Sequence, residues 1–200
     1  MTLPRQHQDK PAQLLAAALT VFARTGVHGT TVPAIADQAG VSVGTLYRYF
    51  EHKDALVNAV FRDTKQRLAE RLMAELDVST PSKAIFDALW DRLSAFARDE
   101  PEAFQFLEMQ DHDSYLDPQN RALELGLLAQ VRQLIQLGQT SGLIRRDMRA
   151  EVIMALFWGA FVGLFKAARR GYLQLSDTDI SQARDACWQS LQTDQQGSGK

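Results

Sequence analysis

Apolar residues recur along this chain at steps of three and four, in blocks separated by Pro, Gly and short Ser/Thr/Asp clusters. That spacing predicts helices throughout and offers no competing strand signal. In the first block Leu14, Leu15, Ala18, Leu19 and Phe22 make one face of a helix from Pro11 to Thr25, closed by Gly26. The next two blocks are short. Thr31 is placed to cap a helix through its hydroxyl, Pro33 fits the first turn because its missing N–H would have no partner there, and Ile35, Ala36 and Ala39 form the apolar stripe. Gly40 supplies the positive φ of a tight turn, and Ser42 caps a second short helix whose Leu46 and Phe50 are expected to reach the core at i, i+4 spacing. Val43, Gly44, Thr45, Tyr47 and Arg48 are then left facing outward.

After Lys53 the positions Leu56, Val57, Val60, Phe61, Leu68, Leu72 and Leu76 carry a long amphipathic helix to near Asp77. Thr80 and Pro81 restart the chain for a helix with Ile85, Leu89, Trp90, Leu93 and Phe96, and Asp99 to Pro101 start a short one with Phe104, Phe106, Leu107 and Met109. Asp117 and Pro118 open a long block that ends at Gly142, and two final helices follow, from about Met148 to Arg170 and from Ser176, whose Asp179 completes a capping box, to about Thr193. The expected fold is all-α with about nine helices. A mobile arm at 1–9 precedes a three-helix domain at 10–54, a larger helical domain spans 55–194, and a tail at 195–200 has nothing to pack with.

Two hundred residues with 46% hydrophobic content suffice for a sizeable core. The net charge of −2 divides unevenly: residues 1–71 hold 9 Lys or Arg against 6 acids, or +3, and residues 72–200 hold 13 against 18, or −5. A basic amino-terminal part suits a polyanionic partner. The lone Cys187 and the lack of an amino-terminal apolar leader point to a reducing cytoplasm. The longest apolar stretch, Val152 to Ala168, sits at the lower limit of about 17 residues for a membrane span and is expected as a buried or interfacial helix, so no membrane partner is predicted.

Thr30 to Lys53, TTVPAIADQAGVSVGTLYRYFEHK, therefore reads as two helices joined by a glycine turn and followed by an aromatic and basic cluster. Thr31, Ala36, Ala39, Gly40, Val41, Ser42, Gly44, Thr45, Leu46, Tyr47, Tyr49, Phe50, Lys53 and Leu56 resemble the helix-turn-helix of the TetR family of bacterial transcriptional regulators, and the chain length fits. The expected partner is double-stranded DNA. Val43, Gly44 and Thr45, in the first turn of the second helix, are the candidates for base edges: two methyl-bearing side chains for thymine methyls, a hydroxyl, and a glycine that lets the backbone approach closely. Thr31, Val32 and Pro33 open the preceding helix beside a phosphate and the groove edge, and Ser42 starts the reading helix. The resemblance carries phosphate roles onto Tyr47 and Lys53, with His52 and Arg48 as further contacts. Many relatives carry polar or charged side chains where this chain has Val43 and Pro33, which shifts base reading toward methyl contacts.

The resemblance also implies a larger domain for effector binding and dimerisation. A second copy is required because one reading unit touches few bases, and two copies match a palindromic operator. Met154, Trp158, Val162 and Phe165, with Gly159 and Gly163 allowing close approach, and Trp188 and Leu191 on the last helix, are the candidate dimer interface. Phe86, Trp90, Phe104, Phe106, Met109, Tyr115, Phe157 and Phe161 are candidate walls of a cavity for a partly apolar effector, with Asp111, His112 and Asp113 as polar anchors. The implied function is a repressor released by its effector. A constitutive or metal-responsive regulator is the alternative. A helical-bundle metalloenzyme is prompted only by Glu108 and His112 at i, i+4; the carboxylates and paired Glu-x-x-His repeats of di-iron bundles, HExxH and glycine-rich phosphate loops are all missing from the sequence, so no cofactor, metal site or catalytic residue is expected.

Overall fold

The computed structural model describes residues 10–109, 112 and 114–193; the expected arm at 1–9 and tail at 195–200, Asp111, Asp113 and the side chain of Met109 lie outside the described residues. Among the described residues there are nine helices: α1 (Lys10–Gly29), α2 (Val32–Gln38), α3 (Val43–Tyr47), α4 (Lys53–Met73), α5 (Lys83–Asp99), α6 (Pro101–Met109), α7 (Pro118–Thr140), α8 (Ala150–Arg169) and α9 (Asp177–Leu191). No strand accompanies them, only a bridge between Ile144 and Gln192.

The helix ends follow the local chemistry. Pro33 sits in the first turn of α2, Pro101 opens α6 and Pro118 opens α7. Ser176 and Asp179 form the reciprocal capping box of α9, the Asp179 amide donating to Ser176 Oγ (3.2 Å) and the Ser176 amide to Asp179 Oδ2 (2.8 Å). The Ser176 hydroxyl also donates to Asp179 Oδ2 (2.6 Å), and this bond first, with that from the Ser176 amide second, holds the Asp179 carboxyl below the usual carboxylate range. Gly26 interrupts α1 at φ 73°, after which one more turn runs to Gly29. Two ends differ from expectation. α4 stops at Met73, so Leu76 lies beyond it, past Glu75 at φ 53°. α3 stops at Tyr47, so Phe50 is not on that helix and is only half-buried.

The described chain divides into two compact units, the first within Met1–Glu70 and Phe96–Ala122, the second within Arg71–Ala95 and Leu123–Lys200. The units follow contacts rather than chain order, so the body that holds α1, α2 and α3 also contains α6. In the first unit α6 packs along α1. Phe22 stacks on Phe106 with ring centroids 5.9 Å apart, Gln105 Nε2 donates to the Ala23 carbonyl (2.6 Å), and Thr20 Oγ1 donates to Glu102 Oε2 (2.7 Å). Phe22, Phe61, Phe106, Leu14, Ile35, Leu46 and Leu56 are fully buried, and each contributes roughly 1.5–3 kcal/mol of apolar transfer.

A buried amide lattice joins α4 to the start of α7 within this unit. Asn58 Nδ2 donates to the carbonyls of Asp54 (2.8 Å) and Tyr115 (2.8 Å), while Asn58 Oδ1 accepts from the Asp117 amide (2.8 Å) and from Asn120 Nδ2 (2.8 Å). Asn120 is fully buried, and its Oδ1 accepts from Arg62 Nε (3.2 Å). Nearby, His112 is buried with Nε2 donating to the Phe106 carbonyl (2.5 Å) and Nδ1 bonded to the Tyr115 hydroxyl (2.6 Å). The ring lies edge-on to Phe61 and Phe106.

In the second unit an aromatic cluster joins α5, α8 and α9. Trp90 contacts Phe86 (6.2 Å), Phe157 (5.5 Å) and Phe161 (5.3 Å), and Phe86 also meets Trp188 (5.1 Å). Lys83 pairs with Asp87 and Asp185, and Arg184 with Asp87 and Asp91, so charges bridge α5 and α9 outside the aromatic layer.

Asn58→Ala removes both halves of the amide lattice and leaves the Asp117 amide, the Tyr115 carbonyl and Asn120 Nδ2 short of partners. The expected loss is about 2–4 kcal/mol, read by denaturant unfolding; a loss below about 0.5 kcal/mol would show that water replaces the side chain.

Candidate functional site

The reading unit is held by side-chain caps. A helix as short as α3 (5 residues) depends on its ends, and Ser42 Oγ accepts from the Thr45 amide (3.1 Å) and is bonded to Thr45 Oγ1 (2.9 Å). Thr31 Oγ1 caps α2 through the Ala34 amide (3.4 Å). Between them Gly40 adopts φ 63°, which makes the turn, and the Val41 amide donates back to the Ala36 carbonyl (3.0 Å). Leu46 is fully buried and anchors α3 from within.

The expected DNA residues lie on α2 and α3, at the caps that precede them and at the start of α4. Thr31, Pro33, Ser42, Gly44, Tyr47, Arg48 and His52 are exposed; Val32, Val43, Thr45 and Lys53 are half-buried. Tyr47 is 48% exposed, so its ring is not taken up by the core. Gly44 is informative: a Cβ built there would meet only Ser42 Oγ at 3.9 Å, so nothing inside the protein requires a glycine at this position. Gly44 stands in the first turn of α3, where its bare backbone leaves room for a partner to approach.

Lys53 and His52 have roles that the sequence did not disclose. Lys53 Nζ donates to the Thr30 carbonyl (2.8 Å), just ahead of the α2 cap. Thr30 is itself buried, its hydroxyl bonded to the Gly26 carbonyl (2.7 Å) and to Thr25 Oγ1 (2.7 Å). The ammonium is thereby fixed at the amino end of α2 rather than swinging on its stem. His52 Nδ1 accepts from the Ala55 amide (3.0 Å), so the imidazole caps α4. Its Nε2 then carries the proton. The Thr45 hydroxyl, expected to be free for DNA, is drawn into the Ser42 cap. The one available signal for Thr30 was the Thr-Thr pair beside a glycine.

The second unit contains a cavity of about 100 Å³ lined by residues of α5, α7, α8, α9 and the turn after α7, among them Ile85, Phe86, Leu134, Ile144, Phe157 and Trp188. Phe86 and Phe157 were expected on its wall and are there. Trp90 and Phe161 are fully buried behind it. Trp188 and Leu191, grouped from sequence with the dimer face, are instead buried to 6% and 2% exposure and line the cavity, because α9 turns its apolar side into its own unit. Phe104, Phe106, His112 and Tyr115, expected around an effector, belong to the first unit, and the His112 nitrogens are occupied by the Phe106 carbonyl and the Tyr115 hydroxyl. Met154, Trp158, Val162 and Phe165 are half-buried. The exposed residues of α8 are Glu151, Val152, Ala155, Leu156, Gly159, Ala160, Gly163, Lys166 and Arg169, and those from Val152 to Gly163 make one uncharged stripe at three- and four-residue steps. Glu108 pairs with Lys65 (3.6 Å) rather than sharing a site with His112. Burial pushes the Cys187 thiol up to about 11, which leaves it protonated and unreactive near neutrality.

Residues 14–60 match the family model described as bacterial regulatory proteins, tetR family, and residues 61–193 match that of the tetracyclin repressor-like C-terminal domain. The chain is 30% identical over 155 residues to the HTH-type transcriptional repressor KstR2 of Mycolicibacterium smegmatis, covering 75% of each. It shares its fold with a TetR family transcription regulator from Marinobacter aquaeolei (TM-score 0.81, 24% identity, 94% of this chain and 98% of that one). It also shares it with FadR from Bacillus subtilis in complex with stearoyl-CoA (TM-score 0.67, 20% identity, 89% and 95%).

Ser42→Ala is expected to cost about 1 kcal/mol, the usual worth of a serine cap, by denaturant unfolding. A second pair of variants probes the cavity wall. At Gly138 a Cβ would stand 2.7 Å from Ile144 Cδ1, whereas at Gly126, on the same helix, it would meet open space. Gly138→Ala should therefore destabilise by about 1–2 kcal/mol through overpacking, and Gly126→Ala should stabilise by up to about 1 kcal/mol; equal effects would contradict the packing described.

Proposed function

Because this chain belongs to the tetR family of bacterial regulatory proteins, we propose that it represses transcription as a homodimer that seats two α3 helices on a palindromic operator and releases it when a small, largely apolar effector binds. The chain is a DNA-binding transcriptional regulator and not an enzyme. The observation that carries the operator reading is Gly44, exposed on a capped helix with no neighbour that demands it, flanked by Val43 and Thr45. A bare backbone at this point suits close approach to base edges. Tyr47, Arg48, His52 and Lys53 surround it with donors for phosphates, which set register without reading sequence.

The outward stripe of α8 supports the dimer. Ala150–Arg169 has a mean hydropathy of 1.6 over its most apolar window, yet only 22% of that window is buried. Its length and composition would also suit a membrane span. Against that, Ile153 and Phe161 are buried at 1% and 0% exposure within the second unit, which ties one side of the helix into a folded core and leaves a single face to be covered. Val152 and Leu156 supply apolar area on that face, and Gly159, Ala160 and Gly163 let a second helix approach closely. The effector reading rests on the cavity of the second unit and on its apolar wall. FadR, which shares the fold, is solved with a molecule that carries a long acyl chain. A coupling of about 1–3 kcal/mol between effector and operator would change occupancy roughly 5- to 150-fold, and linkage requires that DNA weaken effector binding by the same factor.

Gly44→Ala separates reading from folding: it should leave stability unchanged or raise it by up to about 1 kcal/mol while lowering operator affinity at least tenfold in a gel-shift titration. Retention of full affinity would move α3 away from the bases. Lys53→Ala should weaken binding to operator and random duplex alike and flatten the dependence of log K on log salt by about one unit; an unchanged slope would reduce Lys53 to a structural tie. Leu156→Glu should shift the protein from dimer to monomer in sedimentation equilibrium and abolish tight binding to a two-half-site duplex, and a dimer that survives the substitution would relocate the interface.

A further inference from the structure

The cavity of the second unit specifies more about its occupant than apolar character. Fourteen residues line it, and none is Asp, Glu, Lys, Arg or His. Its hydroxyl-bearing wall residue, Ser82, is placed to accept from the Ile85 amide (3.4 Å). The nearest cationic side chains along α5 and α9, Lys83 and Arg184, are paired with Asp87, Asp91 and Asp185. An ionised group brought inside would lose its hydration with nothing to replace it, at a cost that excludes carboxylates and phosphates from the interior.

At about 100 Å³ the cavity is also below the roughly 300–1,000 Å³ of small-molecule sites, so occupancy by more than a fragment requires part of the wall to move. The wall has one side made of rings. Phe86 and Phe157 line the cavity, and both lie against Trp90, with centroids 6.2 Å and 5.5 Å from it. Phe86 also leans on Trp188, another wall residue, at 5.1 Å. Directly behind these two rings Trp90 is fully buried, and its indole Nε1 has no hydrogen-bond partner among the described residues. The rings packed on Trp90 are those of Phe86, Phe157 and Phe161. An indole N–H is a donor and nothing else, and a buried donor left without an acceptor forfeits the hydrogen bond it had to water. Such a group in a native core calls for an explanation.

We propose that the effector is an uncharged, largely apolar molecule with a hydrogen-bond acceptor, a ketone, ester or hydroxyl oxygen, and that this acceptor meets the Trp90 Nε1–H when Phe86 and Phe157 turn aside. The proposal deepens the effector reading above and rests on it. Rotation of two phenyl rings merges the existing space with the volume in front of the indole, and the new hydrogen bond offsets the disrupted ring stacking. Alkyl substituents of the ligand replace the displaced rings against Leu134, Ile144 and Ile153. Selectivity follows from the same arithmetic as any buried donor: a ligand lacking the oxygen leaves the N–H unpaired, and an anion is refused by the walls.

Titration of the full-length protein with 2-octanone, n-octane and octanoate, followed by calorimetry and by the three indole N–H resonances, tests this. The ketone is expected to bind at least tenfold more tightly than the alkane and the anion, and to shift the resonance assigned to Trp90 by elimination with W158F and W188F. W90F should erase the preference for the ketone while keeping affinity for the alkane. Should W90F fail to fold, the wild-type resonance alone decides, since a ketone that binds without moving it overturns the proposal. Equal affinities for ketone and alkane, or binding by none of the three probes, also overturn it. Operator release measured in parallel separates the two claims: a ketone that binds through Trp90 and leaves DNA affinity unchanged removes the effector reading and keeps the pocket chemistry.

Discussion

A helix of five residues cannot persist on its own hydrogen bonds, because nucleation costs more than so few bonds return. The proposed reading of DNA depends on holding α3 in spite of that. Three devices do so: Ser42 satisfies an amide at its start, Leu46 fixes it to the core, and Gly40 sets the turn from α2. Around these, α1 and α6 provide the bed through the Phe22–Phe106 stack and the Gln105 bond to Ala23. Lys53 is the informative case, since its ammonium is already tied to the Thr30 carbonyl and would lose less freedom on meeting a partner than an unrestrained lysine would.

What the sequence disclosed divides along a physical line. Caps, turns and apolar periodicity are local, and they were legible: Ser42, Thr31, Gly40 and the Ser176–Asp179 box all stand where the spacing put them. Long-range partners were not. Nothing in the local pattern distinguishes His112 as a donor to the Phe106 carbonyl from His112 as an anchor for a ligand, because the distinction depends on what α6 packs against. Trp188 and Leu191 illustrate the same limit. An apolar face on α9 was evident, but whether it meets its own unit or a second copy is a tertiary fact, and burial at 6% and 2% decides it for this protomer. On α8 the reverse holds. The stripe of Val152, Leu156, Gly159, Ala160 and Gly163 is rotated from the bulky face that the sequence made conspicuous, since large aromatics such as Phe161 are consumed by the interior and the small residues remain outside.

The two units place opposite demands on their polar groups. In the first, the buried amides of Asn58 and Asn120 are used on both their donor and acceptor sides. In the second, an aromatic core leaves the Trp90 Nε1–H without an acceptor, in a layer otherwise built of phenyl rings. A fully paired network gains nothing from a visitor, whereas an incomplete one does.

The amide lattice of Asn58 and Asn120 has a further consequence. Its central members carry no net charge, and an ion pair at its border, Arg62 with Asp117 at 3.6 Å, is partly solvated. Electrolyte weakens attraction between a cationic surface and a polyanion steeply, but it has little purchase on bonds between neutral amides shielded from solvent. Rising ionic strength will thus lift this protein off its nucleic acid long before it loosens the joint between α4 and α7, and the molecule that departs remains folded and ready to bind again.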